Sequence, residues 1–316
     1  MINLRYHIVS LVAVFLALGL GIVMGTTVID RVTVDALNNK LDAVERSVGA
    51  TRDENGKLKS DVDRGRDFAV TTRDQLLKGH LRNIPVMVVA ISGVDRRPVD
   101  DLRQALAGAQ ATVEGTIWFT SKMRLTSDND VRSLATALDL AFDRPEVVRR
   151  LALAKVAGAA TREAAATETS PLAALQTAGF LTFEGPPPPT STSTTAILPA
   201  TLAGLPLANT RYVVVSGAGA EVGDDVVAIP LVQAYAQASG RVVAAESGQD
   251  TDGGRAVFVG LLRRDVAAAR LSTVDNLESA MGQTAAVLAL EDLGVPRYGN
   301  YGVGRDAQRI LPTQTP

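Results

Sequence analysis

Pro85-Val86-Met87-Val88-Val89-Ala90-Ile91 is a short, continuous apolar run closed by Ser92-Gly93. A run of this length, rich in valine and bounded by a turn signal, reads as a strand buried on both faces, the strand type of a parallel sheet covered by helices. The alternation continues outward. Pro98 to Ala107 reads as a helix, Val113 to Phe119 alternates as a strand, and Asp128 to Leu138 and Pro145 to Val156 read as helices with acidic or proline starts. Asp128 and Asp130 fit the exposed N–H groups of a first helical turn better than a carboxylate pair for catalysis. The pattern returns with a strand at Arg211-Tyr212-Val213-Val214-Val215, a helix over Pro230 to Ala238 and a strand at Val242 to Ala245. Two further strands are expected at Ala256 to Gly260 and Leu271 to Val274, and a last helix over Leu277 to Leu293, with Asp275 and Asn276 as caps and Gly294 and Pro296 beyond its end. Strands alternating with helices imply an α/β body with a mostly parallel sheet.

The body falls into two halves, residues 82–184 and 211–304. Residues 185–210 carry Gly185-Pro186-Pro187-Pro188-Pro189 and a Ser/Thr run to Thr195, a composition that favours extended, solvated backbone, as a linker or a long surface loop. Neither half alone supplies many strands, so one sheet assembled from both is preferred, with two small domains as the alternative. Residues 305–316 read as an unstructured tail.

Upstream of the body, residues 31–81 change period. Val34, Leu37, Leu41, Val44 and Val48 are spaced alternately three and four apart, the spacing of a coiled-coil seam. The same register continues more weakly through Thr51, Asn55, Leu58, Val62, Gly65, Ala69, Thr72 and Leu76, and a lone amphipathic helix packed on its own body is the competing reading. Further upstream, Ile8 to Ile29 runs for 22 residues without a charge, and about 20 suffice to cross a bilayer. Residues 1–30 are therefore expected to be a single transmembrane anchor rather than a cleaved signal, whose apolar region is about 7–15 residues. Arg5 and the terminal amine precede the span, while Asp30, Arg31 and Asp35 follow it, which favours a cytoplasmic N-terminus with the bulk outside. Ala13, Ala17, Gly21 and Gly25, four residues apart, place small side chains on one helix face, where two anchors could pair closely.

Composition removes several chemistries. The chain has no cysteine, so disulfides, thiolate nucleophiles, zinc ribbons and iron–sulfur centres are excluded. Its two histidines, His7 and His80, supply no imidazole cluster. The net charge of −2, with both signs interspersed, gives no one-sided basic surface for nucleic acid. Gly217-Ala218-Gly219 follows a strand as a phosphate loop would, but Val222 stands where a dinucleotide fingerprint requires a third glycine, and Asp224 and Asp225 lie close by. Asp250 and Asp252 lack the acid that would complete an EF-hand loop. No catalytic, cofactor or metal residue is assigned, and no enzyme activity is expected. Soft copper ligands are scarce: Met24 falls in the anchor, Met87 in a buried strand, Met281 in an apolar helix, and Met123 alone is expected to be exposed.

The two ends of the chain carry a family resemblance. MINLRYHIVSLVAVFLALGLGIVMGTTV resembles the opening of the actinobacterial copper transporter (MctB) family. Ser272-Thr273-Val274-Asp275-Asn276, with Gly282 and Thr284 through Leu290, resembles that family's C-terminal signature, and Tyr298 to Gly302 its Gly/Tyr-rich ending. The resemblance implies copper export or homeostasis at the cell envelope. It also implies a second role, in cell-separation complexes that control peptidoglycan hydrolases. One span offers no conduit through a membrane, because backbone groups in lipid must be satisfied within a helix bundle or closed barrel. The residues themselves favour a homodimeric scaffold in the plasma membrane, paired through anchor and stalk, whose partner is an envelope or cell-division protein. Copper as a partner rests on the resemblance alone.

Overall fold

The computed structural model describes residues 4–160, 170–186, 202, 209–248, 251–252, 255–264 and 270–313, in two compact units, Met1–Arg66 and Asp67–Pro316. The described residues of the first unit lie within one helix, α1 (Leu4–Leu76). Its window Arg5–Gly25, with mean hydropathy 2.6, is long and apolar enough to cross a membrane. Ala13, Ala17 and Gly21 are exposed there, and Gly25 is half-exposed. Val34, Leu37, Leu41, Val44 and Val48 are 43–59 % exposed among the described residues.

In the second unit the last turns of α1 are seated. Arg73, Leu77 and Leu81 are buried, and Ala69 and Thr72 are half-buried. The register read from Val34 therefore runs into the chain's own body near Ala69, although Leu76 remains exposed.

The body continues through β1 (Pro85–Ile91), α2 (Arg96–Gly108), β2 (Thr112–Phe119), a 3-10 turn (Ser121–Arg124), α3 (Asp128–Ala137), α4 (Pro145–Ala159), α5 (Pro171–Thr177) and β3 (Leu181–Glu184). Then come β4 (Arg211–Gly217), α6 (Ala228–Ala238), β5 (Val242–Ser247), the two-residue strands β6 (Thr251–Asp252) and β7 (Arg255–Ala256), α7 (Val257–Arg264), β8 (Ser272–Val274), α8 (Ala280–Asp292) and β9 (Asn300–Tyr301). A seven-stranded sheet in the order β3-β2-β1-β4-β5-β8-β9 joins both halves, and all its pairings are parallel except that of β3 with β2. The central pair is β1 with β4, in register from Val86 and Arg211 to Ala90 and Val215. Val86 to Ile91 and Tyr212 to Val215 are wholly buried, which is why both strands read as unbroken apolar runs. Tyr212 stacks on Tyr235 of α6 at 4.4 Å, fixing that helix over the sheet.

Local chemistry sets the helix starts. The Asp95 side chain accepts the Arg97 N–H at α2, Ser127 accepts Asp130 N–H at α3, and Pro145 and Pro171 open α4 and α5. Several expectations are corrected. Ala256 to Gly260 is not a strand, because α7 begins at Val257, where the Glu246 carboxylate binds two of its free N–H groups. Asp275 and Asn276 do not cap the last helix, whose cap is Ser279, accepting Gly282 N–H at 3.0 Å. Met123 is wholly buried, and Met281 is 40 % exposed on α8. The helix α5 and the antiparallel edge strand β3 have no counterpart in the pattern read from sequence. Residues 305–313, read as tail, carry order: Arg309 bridges Tyr301, and its carbonyl accepts Gly302 N–H at 2.9 Å.

Candidate functional site at the C-terminal edge of the sheet

In an open α/β sheet a ligand sits beyond the C-terminal ends of the strands, where the strand order reverses. Here that point lies between β1 and β4, and the two loops fill it. Glu221 N–H donates to the Ser92 carbonyl at 2.7 Å. Gly93, at φ +95°, and Gly219, at φ +83°, meet so closely that a Cβ on Gly93 would overlap the Gly219 carbonyl oxygen and lie 2.9 Å from the Glu221 nitrogen. Arg124 Nε donates to the Glu221 carbonyl at 2.5 Å, and Ser216 Oγ to Asp224 at 2.5 Å. Gly217-Ala218-Gly219 is thus a turn stitched to its neighbour, with backbone where a dinucleotide fold places phosphate.

The next strand ends carry the buried charge. Glu246, at the end of β5, is 1 % exposed, and its carboxylate accepts Val257 and Val259 N–H, each at 2.8 Å. Burial pushes its pKa up to about 7; the two N–H bonds and Arg263 oppose that rise, while Asp224 adds to it. Arg263 on α7 donates from each of its three nitrogens. It donates to Thr273 Oγ1 at 2.8 Å, to Asp275 at 2.9 Å and to the Tyr301 carbonyl at 2.7 Å. Asp275 in turn accepts Val303 N–H at 2.7 Å and Gly304 N–H at 3.1 Å, so the end of β8 holds the loop after β9. Such an arrangement ties segments together and can gain or lose a proton.

A second feature is a groove of about 360 Å³ between α4 and α6, floored by Leu153, Ala154, Pro230 and Ala234 and edged by Arg149, Arg150, Glu146 and Asp225. Arg149 is a staple within it, donating from Nε to the Met123 carbonyl and from a terminal nitrogen to the Arg124 carbonyl, each at 3.0 Å. Partial burial lowers its pKa, against the pull of Glu146 and Asp225.

Met87 and Met123 are wholly buried in the core, Met281 lies on α8, and His80 pairs through Nδ1 with Glu291 at 2.8 Å. Among the described residues no group of three His, Cys, Asp or Glu side chains is placed to hold a metal ion. The nine pairing candidates read from sequence all fall on α1: Ala13, Ala17, Gly21 and Gly25 in its apolar part, and Val34, Leu37, Leu41, Val44 and Val48 beyond it. Glu246, Arg263, Asp275 and Gln283 were not singled out as a group by sequence; the one available signal was a charge standing directly after an apolar strand, as Glu246 does after Ala245.

Comparison with known proteins decides the kinship. The family described as "Copper transport outer membrane protein, MctB" matches residues 1–312. The chain belongs to the MctB family. Curated MctB relatives named "Copper transporter MctB" include those of Mycobacterium tuberculosis (strain ATCC 25618 / H37Rv) and Mycobacterium bovis, each 24 % identical over 99 % of this chain and 100 % of their own length. The relative of the same name from Mycobacterium leprae is 26 % identical over the same shares. An apolar N-terminal helix in a family named for membrane copper transport fits a membrane-anchored protein.

Proposed function

We propose that this MctB-family protein serves copper handling as a membrane-anchored, homodimeric, non-enzymatic scaffold, with its N-terminus cytoplasmic and its α/β body outside. The observation that carries the reading is the stripe Val34, Leu37, Leu41, Val44 and Val48, an apolar seam at heptad spacing exposed along a helix that also holds the apolar span. A row of this kind on an otherwise charged helix is stabilised by burial against an equivalent row, and the small-residue face at Ala13, Ala17 and Gly21 would let the same two helices approach within lipid. Copper enters through the relatives' name. Within this chain the thioethers are scattered between core and surface, which supports a role exercised through a partner rather than by transport through its own body.

The test is a Cu(I) titration of the full chain in detergent micelles against a competing chelator, with light scattering on the same sample. The scaffold reading expects a dimer with no copper withdrawn from the chelator. Stoichiometric withdrawal of Cu(I) by wild-type protein, lost in Met281→Leu or His80→Ala, would overturn it in favour of direct binding.

A further inference from the structure

The last turns of α1 are seated on the body by a buried polar contact. The Arg73 guanidinium donates to Gln283 Oε1 on α8, and both side chains are buried. The other end of the same amide is also used, since Gln283 Nε2 donates to the Leu277 carbonyl at 3.3 Å. Leu277 gives its N–H to the Glu246 carbonyl at 3.0 Å. The Glu246 carboxylate then binds the first N–H groups of α7. A run of buried hydrogen bonds thus leads from α1 to α7, and Gln283 is the one side chain in it that touches both the α1 end and the loop before α8.

We propose that Gln283 is a positioning residue that couples the seating of the last turns of α1 to the state of the Glu246 carboxylate at the start of α7.

The surroundings of Glu246 explain why a change there is passed on rather than absorbed. The charged groups facing it are Asp224, beyond β4, and Arg263, on α7. Asp224 already accepts a bond from Ser216, and the donors of Arg263 are committed to Thr273, Asp275 and Tyr301. Glu278, in the loop after β8, is turned to the Gly248 N–H at 3.2 Å. Among the described residues the cation facing Glu246, Arg263, already donates to three other groups, so the N–H groups of α7 and the backbone around Glu246 take up the change when the carboxylate ionises. That backbone holds Leu277, and Leu277 holds Gln283. Burial raises the pKa of Glu246 to about 7. The closed arrangement therefore binds its proton more tightly than an opened one, and opening becomes easier as the pH rises from about 5 to about 8.

The experiment is native-state hydrogen exchange on the full chain in detergent micelles, corrected for the intrinsic pH dependence of exchange. The expected result is a fall in protection of at least about tenfold between pH 5 and pH 8 at the amides of residues 257–260, with a parallel fall at residues 73–77. In Gln283→Leu the response at 257–260 stays and that at 73–77 is lost. In Glu246→Gln both are lost. The proposal is overturned if residues 73–77 do not respond in the wild-type chain, or still respond in either variant. If Gln283→Leu does not fold, Gln283→Met takes its place and the same outcomes apply. The inference is independent of dimerisation and of copper.

Discussion

Gly93→Ala probes the closure of the crevice between β1 and β4. The residue has φ +95°, a conformation that costs an L side chain about 1–3 kcal/mol. Its Cβ would also overlap the Gly219 carbonyl oxygen and press to 2.9 Å on the Glu221 nitrogen, backbone atoms that cannot turn aside. Overpacking of this kind costs about 1–3 kcal/mol. Relief by opening the loops would break the 2.7 Å bond from Glu221 N–H to the Ser92 carbonyl, at a further cost of about 1 kcal/mol. Because these are alternative ways of relieving one clash, the expected loss is about 2–5 kcal/mol rather than their sum. The assay is urea unfolding of the full chain in micelles, followed by fluorescence of Trp118, the single tryptophan, which lies buried on β2. Gly158→Ala is the internal control. It lies within α4 with nothing within 4 Å of the added Cβ, and should gain about 0.5–1 kcal/mol from helix propensity. A Gly93→Ala protein within about 0.5 kcal/mol of wild type would refute the packing described for this crevice.

Other consequences are read in the same unfolding experiment. Glu246 has a folded pKa of about 7 against an ordinary 4.5, so its contribution to stability is fully present below about pH 4.5 and is lost as the pH rises through 7. Stability should fall by a few kcal/mol over that window, and Glu246→Gln should flatten the profile; a wild-type profile without this slope would contradict the burial argument. Arg263→Ala strands the buried Asp275 carboxylate and should cost about 3–5 kcal/mol, whereas Arg297→Ala, on the more exposed pair with Asp292, should cost about 1 kcal/mol or less. Ser279→Ala removes the cap of α8 and should cost about 1 kcal/mol, with Ser279→Asn restoring most of it.

The central sheet was legible because burial on both faces leaves a direct mark on composition: the runs at Pro85 and Arg211 have no polar interruption, and both became inner strands of one sheet. The helix starts at Asp128 and Pro145 were legible for a different reason, since acidic residues and proline in a first turn are local signals. What sequence did not show depends on distant partners. Val257 to Gly260 has strand-like composition, yet forms a helix because a carboxylate eleven residues upstream satisfies its first N–H groups. Asp275 looked like a cap because nothing in the local pattern announces that Arg263 and the loop at Val303 claim its oxygens. Met123 was expected to be exposed, but the 3-10 turn buries it in the core. The exposed apolar stripe on α1 was readable because its three-and-four spacing is itself the signal, whereas the seating of Arg73 on Gln283 links residues 210 apart and leaves none.

Pairing of two copies along that stripe is tested most directly by cysteine crosslinking, which the absence of native cysteine makes clean. Single substitutions Leu37→Cys, Leu41→Cys and Val44→Cys, each in the full chain in membranes, should give disulfide-linked dimers on mild oxidation. Asn39→Cys and Arg46→Cys, on the opposite side of the heptad, should remain monomeric under the same conditions. Equal crosslinking at all five positions, or none at Leu37, Leu41 and Val44, would contradict a dimer held by this seam.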